Sequence, residues 1–195
     1  MTTKITRLSE AGAATDIIAE AFGNDAISTW LIPSARDRMP IQRRFFGMYV
    51  AHALYHGDVY GIHESGELAG AAIWFTAPFP GIPGEEQAIA SFAGENAGRY
   101  GVLGQMLVRL HPQVPHHYLN FIALRRGRTG RGLGSLLLEE HHRRLDALKM
   151  PAYLEASSEA SRRLYLRHGY VDVAEPVRLP DGPVMYPMWR APAGV

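Results

Sequence analysis

Between Ala123 and Ser135 the chain places four arginines and four glycines in thirteen residues. Gly130, Gly132 and Gly134 allow tight turns and leave backbone amides unshielded by a Cβ. Where such a stretch leads from a strand into a helix, its amides and the positive end of the helix dipole face whatever sits at the helix N-terminus. Arg126, Arg128 and Arg131 add planar, fork-shaped donors suited to phosphate. The chemistry this predicts is the grip of a phosphorylated ligand. The alternative is a solvated basic turn whose glycines only cap the flanking elements. No Gly-Lys-Ser/Thr follows the glycines, so a Walker A loop is excluded. Gly130, Gly132 and Ser135 nearly match a dinucleotide-binding fingerprint, and Glu155 lies about where its ribose-binding acid would fall. Position argues against that reading: only about sixty residues follow the motif, too few for a complete dinucleotide-binding sheet.

These residues need elements to hold them, and the hydrophobic periodicity supplies a set. Alternation over Lys4–Leu8 predicts a strand. Ser9 reads as the cap of a helix that buries Ile17, Ile18, Ala21 and Phe22 and stops at Gly23-Asn24. A second helix is expected from Pro40 to His56, with Phe46, Tyr49, Val50 and Ala53 on one face. Asp58–His63 and Glu67–Thr76 read as a hairpin around Ser65-Gly66. Prolines and glycines from Pro78 to Gly84 then open an excursion over about 79–115, which carries one amphipathic face of Leu103, Met106, Leu107 and Leu110 and closes at Pro112 and Pro115. Strands are expected at Tyr118–Leu124 and Ala152–Ala156, and helices at Ser135–Leu148 and Ser158–His168. Two closing strands, Tyr170–Arg178 and Val184–Arg190, flank the turn Pro180-Asp181-Gly182. The expected class is α/β, in one domain over 1–195.

Two stretches carry a family resemblance. Tyr118-Leu-Asn-Phe-Ile-Ala-Leu124 followed by Thr129-Gly-Arg-Gly-Leu-Gly134-Ser resembles the acetyl-coenzyme A segment of the GNAT N-acetyltransferase superfamily, and Leu164-Tyr165-Leu-Arg-His-Gly169-Tyr170 resembles its Leu-Tyr-x-x-x-Gly-Phe signature. The resemblance is specific from about 116 to 192 and does not reach the excursion. It implies a mixed, mostly antiparallel central sheet flanked by helices and splayed at the centre to admit acetyl-coenzyme A, the acetyl donor. It also implies a cofactor site made of Ile122, Ala123 and Leu124 on the strand edge, Thr129, Gly130, Arg131, Gly132, Leu133, Gly134 and Ser135 in the loop, and Ser158 and Ser161 beyond it. The strand edge, from Phe121 to Leu124, would pair with the pantetheine arm as an added strand does. Ser158 and Ser161 serve equally well as caps of their short helix. The family's usual Gln or Arg falls on Thr129 here, a departure that Arg128 or Arg131 can offset.

The implied reaction is direct attack of a primary amine on the thioester. Tyr165 matches the family tyrosine at the coenzyme sulfur, where a phenol can protonate a departing thiolate; the alternative is a core tyrosine. Glu155 is the leading candidate for the base, since burial near the splay would raise its pKa toward neutrality. Asn120, His116 and His117 are its rivals. A second functional reading is a catalytically silent acyl-coenzyme A sensor or interaction module.

Composition narrows the field further. The 195 residues are 47% apolar, and 20 Lys and Arg against 19 Asp and Glu leave a net charge of +1, so no global field calls for nucleic acid or a membrane surface. The chain has no cysteine, which excludes a disulfide framework, a thiolate metal site and an acetyl-cysteine intermediate. His141 reads as a satisfied core residue, and His111, His116 and His117 lack a compact ligand pattern, so no metal is expected. Without a leader or a long apolar run, the expected location is the cytoplasm. The expected partner is a small-molecule or peptide amine, and a homodimer is left open.

Overall fold

The computed structural model describes residues 2–194. Met1 and Val195, which the one-domain expectation includes, lie outside the described residues. The elements run β1 (Thr3–Arg7), α1 (Gly12–Phe22), α2 (Ala26–Leu31), α3 (Ala35–His56), β2 (Gly57–Glu64), β3 (Glu67–Ala77), α4 (Glu85–Ala93), α5 (Ala97–Leu110) and β4 (His116–Leu124). They continue with α6 (Leu133–Leu148), β5 (Ala152–Ala156), α7 (Glu159–Arg167), β6 (Val171–Asp172), β7 (Val177–Arg178) and β8 (Val184–Arg190). The strands join in the order β1-β2-β3-β4-β5-β8-β6, with β7 also pairing β8. Every pairing is antiparallel except β4 with β5, so the expected mixed, mostly antiparallel sheet is observed.

Alternation along β3 divides the interior in two. Ala72 and Trp74 face one cluster with Leu119, Leu154 and the α6 residues Leu137, Leu138 and Leu145. Ala71, Ile73 and Phe75 face the other, against Ile17 and Ile18 of α1 and Phe46 and Val50 of α3. A strand buried on both faces needs this continuous apolar run. A third cluster joins α2, α4, α5 and the carboxy-terminal hairpin through Ile27, Leu31, Ile89, Tyr100, Leu179 and Met185. The excursion is thus two helices, α4 and α5, that link the adjacent strands β3 and β4 and pack beside the end of the sheet.

Several boundaries differ from the sequence reading. Ser9 does not cap α1, because Leu8 still donates to Val59 O at 2.8 Å and the chain leaves the sheet only afterwards; the helix starts at Gly12 without a side-chain cap. Ala21 is exposed rather than buried. The short α2 escaped the periodicity, although Asp25 caps it by accepting from Ser28 N at 2.6 Å. Pro40 lies inside α3 rather than opening it, since Arg38 N already bonds Ser34 O at 3.1 Å. The buried Arg38 guanidinium then ties down the preceding turn by donating to Ile32 O at 2.9 Å and Pro33 O at 3.1 Å. The expected strand Tyr170–Arg178 is split into β6 and β7, and Pro176, which has no amide to donate, lies between them.

Candidate active site

The site begins where β4 and β5 part. Their parallel register comprises His117 with Ala152 and Tyr118 with Tyr153. Beyond it β4 continues on β3 as far as Leu124, and β5 continues on β8 as far as Ala156. Each strand therefore turns a free edge toward the gap. A bulge deepens it: Ile73 pairs Phe121 while Trp74 pairs Leu119, which leaves Asn120 as the extra residue of β4. A cavity of about 500 Å³ opens there, bordered by Asn120, Ile122, Leu124, Glu155, Ser158 and Tyr165 among others.

Glu155 is the most perturbed acid in this cavity. Tyr118 Oη donates to its Oε2 at 2.8 Å, while its Oε1 is buried with no hydrogen-bond partner among the described residues. Burial raises its pKa to about 7, against the opposing pull of the Tyr118 and Tyr153 phenols. Asn120 Oδ1 is likewise buried and unpartnered. Tyr165, 6% exposed, borders the cavity with its ring edge-on to Tyr170 at 5.7 Å, and burial pushes its phenol well above the ordinary value. The histidine rivals stay outside the cavity. His117 Nδ1 meets His141 Nε2 at 3.1 Å, and its Nε2 lies 3.3 Å from Thr76 Oγ1. His116 is held between Val114 O at 2.7 Å and His111 Nε2 at 3.1 Å.

At the other end of the gap the glycine loop enters α6. Gly127, Gly130 and Gly132 have φ of +78°, +75° and +80°, a left-handed region that only glycine enters freely. A Cβ at Gly130 or Gly132 would meet no atom within 4 Å, so the space beside their amides is open. The first α6 carbonyl bond is Leu136 N to Gly132 O at 3.0 Å, which leaves the amides of Leu133, Gly134 and Ser135 without helical partners. Open amides at a helix N-terminus beside a free strand edge fit a phosphorylated ligand carrying an amide-rich arm.

Other predicted residues have local roles as well. Leu133 sends its side chain into the core at 2% exposure, and Ser135 Oγ lies 2.9 Å from His168 Nε2. Ser158 and Ser161 form a reciprocal capping box on α7 and also border the cavity. Arg128 and Arg131 reach the nearly buried Glu64 at 2.9 and 3.0 Å, so two of the three expected phosphate donors already hold a carboxylate. His141 departs from the expectation of a satisfied core residue. Its ring stacks on Trp74 at 4.1 Å, but Nδ1 has no hydrogen-bond partner among the described residues. No three His, Asp or Glu side chains among the described residues are placed to hold a metal ion.

The sequence reading missed the aromatic wall. Phe45 and Tyr49 of α3, Tyr100 of α5 and Phe121 of β4 all line the cavity, as does Gln42. Gln42, Phe45, Phe46 and Tyr49 form an i, i+3, i+4, i+7 stripe, a signal present in the sequence but indistinguishable there from ordinary core.

Comparison with known proteins agrees with this geometry. The acetyltransferase (GNAT) family model matches residues 24–170. Among solved structures, the histone acetyltransferase HPA2 and related acetyltransferase from Corynebacterium glutamicum is 27% identical, with a TM-score of 0.77 over 100% of this chain and 99% of that one. The ribosomal-protein-S18-alanine N-acetyltransferase of Escherichia coli shares the fold at 16% identity and a TM-score of 0.61, over 100% and 96% of the two chains. A GNAT family acetyltransferase from Elizabethkingia anophelis with acetyl-CoA bound shares it at 12% and 0.54, over 97% of each. No curated protein matches the sequence. Acetyl-coenzyme A is the acetyl donor of the family. With three-quarters of its length matched by the family model and the splayed sheet in place, the chain belongs to the GNAT acetyltransferase family.

Proposed function

We propose that this chain is an N-acetyltransferase that moves the acetyl group of acetyl-coenzyme A to a primary amine by direct attack. The observation that carries the reading is Glu155: a carboxyl at the mouth of the gap, one oxygen held by Tyr118 and the other buried without a partner. Bound acetyl-coenzyme A supplies the thioester carbon that accepts the amine and the sulfur that leaves. The free edges of β4 at Ile122, Ala123 and Leu124 and the amides from Gly130 to Ser135 hold it, with Thr129, Ser158 and Ser161 around them, while the Arg131 side chain stays on Glu64 and the residue contributes through its backbone. Glu155 Oε1 takes a proton from the attacking nitrogen, so the neutral amine forms the N–C bond as the C–S bond breaks. Tyr165 Oη gives a proton to the departing sulfur and regains one from the second proton that the acylated nitrogen releases. A carboxyl with a pKa of about 7 is matched to that duty at neutral pH.

The reading treats residues 1–195 as one domain, supported by strands from both halves of the chain meeting in a single sheet. The reading places the enzyme in the cytoplasm, acting on a small-molecule or peptide amine rather than on nucleic acid; separately, no helix among the described residues is long and apolar enough to cross a membrane. The test is thiol release from acetyl-coenzyme A across a panel of primary amines, with binding followed by thermal shift. At a hundredfold excess over Kd the coenzyme is expected to stabilise by about 2.7 kcal/mol. Stabilisation without thiol release for any amine overturns the enzyme reading in favour of a sensor.

A further inference from the structure

The acceptor side of the cavity carries its own chemistry. Phe121, next to the bulged Asn120, begins a continuous run of rings: Phe121 to Tyr49 at 5.5 Å, Tyr49 to Phe45 at 5.0 Å, and Phe45 to Tyr100 at 4.9 Å. Tyr49 is fixed in this run by its hydroxyl, which donates to Glu85 of α4. Leu103 and Leu107 of α5, from the amphipathic face noted in the sequence, continue the apolar wall. Their half-burial means that this face borders the cavity rather than vanishing into core.

Four side chains that border the cavity each keep a buried polar atom with no hydrogen-bond partner among the described residues: Glu155 Oε1, Asn120 Oδ1, Tyr100 Oη and Gln42 Oε1. Unpaired buried polar groups are rare and costly, so a cavity that keeps four is built for a ligand that satisfies them. Three of the four can only accept, so the ligand must bring donors. Glu155 and Asn120 belong to the strands that part, where the amine nitrogen must lie. Tyr100, 5% exposed, and Gln42, 2% exposed, belong to α5 and α3 and meet the cavity across the ring run.

Charge narrows the class. Among the described residues that line the cavity there is no Lys or Arg, and the carboxyls are Glu155 and Asp25. Asp25 is occupied as the cap of α2. The walls therefore offer no second free carboxylate to a polycation or to the side chains of a basic peptide.

Resting on the acetyltransferase reading, we propose that the acceptor is a compact aromatic monoamine bearing a hydroxyl on its ring. Its amine meets Glu155 and Asn120, its ring fills the slot among Phe121, Tyr49 and Phe45, and its hydroxyl donates to Gln42 or Tyr100. Flat rings pack well among such walls, and a site that pairs a substrate hydroxyl discriminates against the analogue lacking it.

The experiment compares kcat/KM of the full chain for tyramine, phenethylamine, hexylamine, spermidine and a lysine-rich peptide, with acetyl-coenzyme A as donor. Tyramine is expected to exceed phenethylamine by about tenfold or more, and phenethylamine to exceed hexylamine. In Tyr100→Phe and Gln42→Leu the tyramine to phenethylamine ratio falls toward one in at least one variant, with folding checked by the coenzyme thermal shift. Faster transfer to spermidine or the peptide overturns the inference while leaving acetyl transfer intact. Equal rates for tyramine and phenethylamine, or a ratio that neither variant changes, overturn the assigned hydroxyl contact. No thiol release with any amine overturns the underlying reading and this one with it.

Discussion

Tyr118 Oη donates to Glu155 Oε2 at 2.8 Å across the point where β4 and β5 separate. The last paired residue of β4 thus holds the acid that stands in the opened part of β5. Burial alone drives that carboxyl toward its neutral form, and the phenol partly restores the charged one. One contact thus both positions the acid and opposes the effect of its burial.

Replacing Glu155 by Gln removes the only cavity carboxyl among the described residues not committed to a helix cap. The expected result is a fall in kcat/KM of about 10²–10⁴-fold. In the unmodified chain activity is expected to rise with pH through about 7 as Glu155 loses its proton, and this acid limb is expected to be absent from the variant. A pH–rate profile that keeps the limb in Glu155→Gln assigns it to another group.

Tyr118→Phe deletes the hydrogen bond that favours the carboxylate. The pKa of Glu155 then rises, so the acid limb moves to higher pH by about one pH unit, the equivalent of a hydrogen bond to a charged group. At pH 7 the variant is slower, and at pH 9 the gap narrows. A uniform loss at every pH shows instead that the phenol only packs.

Ala at Gly130 or Gly132 meets no steric barrier from the protein, yet both positions hold φ near +75° to +80°. An L-residue there costs about 1–2 kcal/mol or shifts the loop. Chemical denaturation and titration with coenzyme A separate the two outcomes: strain appears as lost stability, a shifted loop as a raised Kd. Unchanged values for both rule out the left-handed loop.

Acid sensitivity follows from the buried histidines. Burial, with neighbouring histidines and arginines, lowers the pKa of His141 to about 2 and of His142 to about 3. Both stay neutral in the folded chain, whereas the unfolded chain protonates them near pH 6.5. The unfolded state therefore binds more protons below that pH, and each residue removes about 1.4 kcal/mol of stability per pH unit of acidification. Urea unfolding at pH 7.5, 6 and 5 measures the slope; stability independent of pH from 6 to 5 contradicts the burial of these rings.

Residues that act through local backbone were readable in one dimension. Gly130 and Gly132 permit the left-handed turn they adopt, and the strand before them and the helix after them follow from hydrophobic period, so the amide cradle of α6 was largely legible without tertiary information. Ser158 and Ser161 are three residues apart and cap their own helix for the same reason. Family resemblance added Tyr165, which lies within a short signature, whereas Glu155 followed from its place at a strand end beside the expected splay.

What remained hidden depends on pairings distant along the chain. The sequence shows Phe45, Tyr100 and Phe121 as three apolar residues, and only the packing of α3, α5 and β4 makes them one wall. Arg128 and Arg131 read as free phosphate donors until the hairpin end brings Glu64 between them. The pKa of Glu155 is likewise set mainly by what the fold brings to it, burial in the gap first and then the phenol of Tyr118, 37 positions away, with the nearby Tyr153 adding to the latter. Local dihedral preference and periodicity determined the loop and the elements. Burial and the pairing of polar groups, which arise only when distant surfaces close together, decided the chemistry of the cavity.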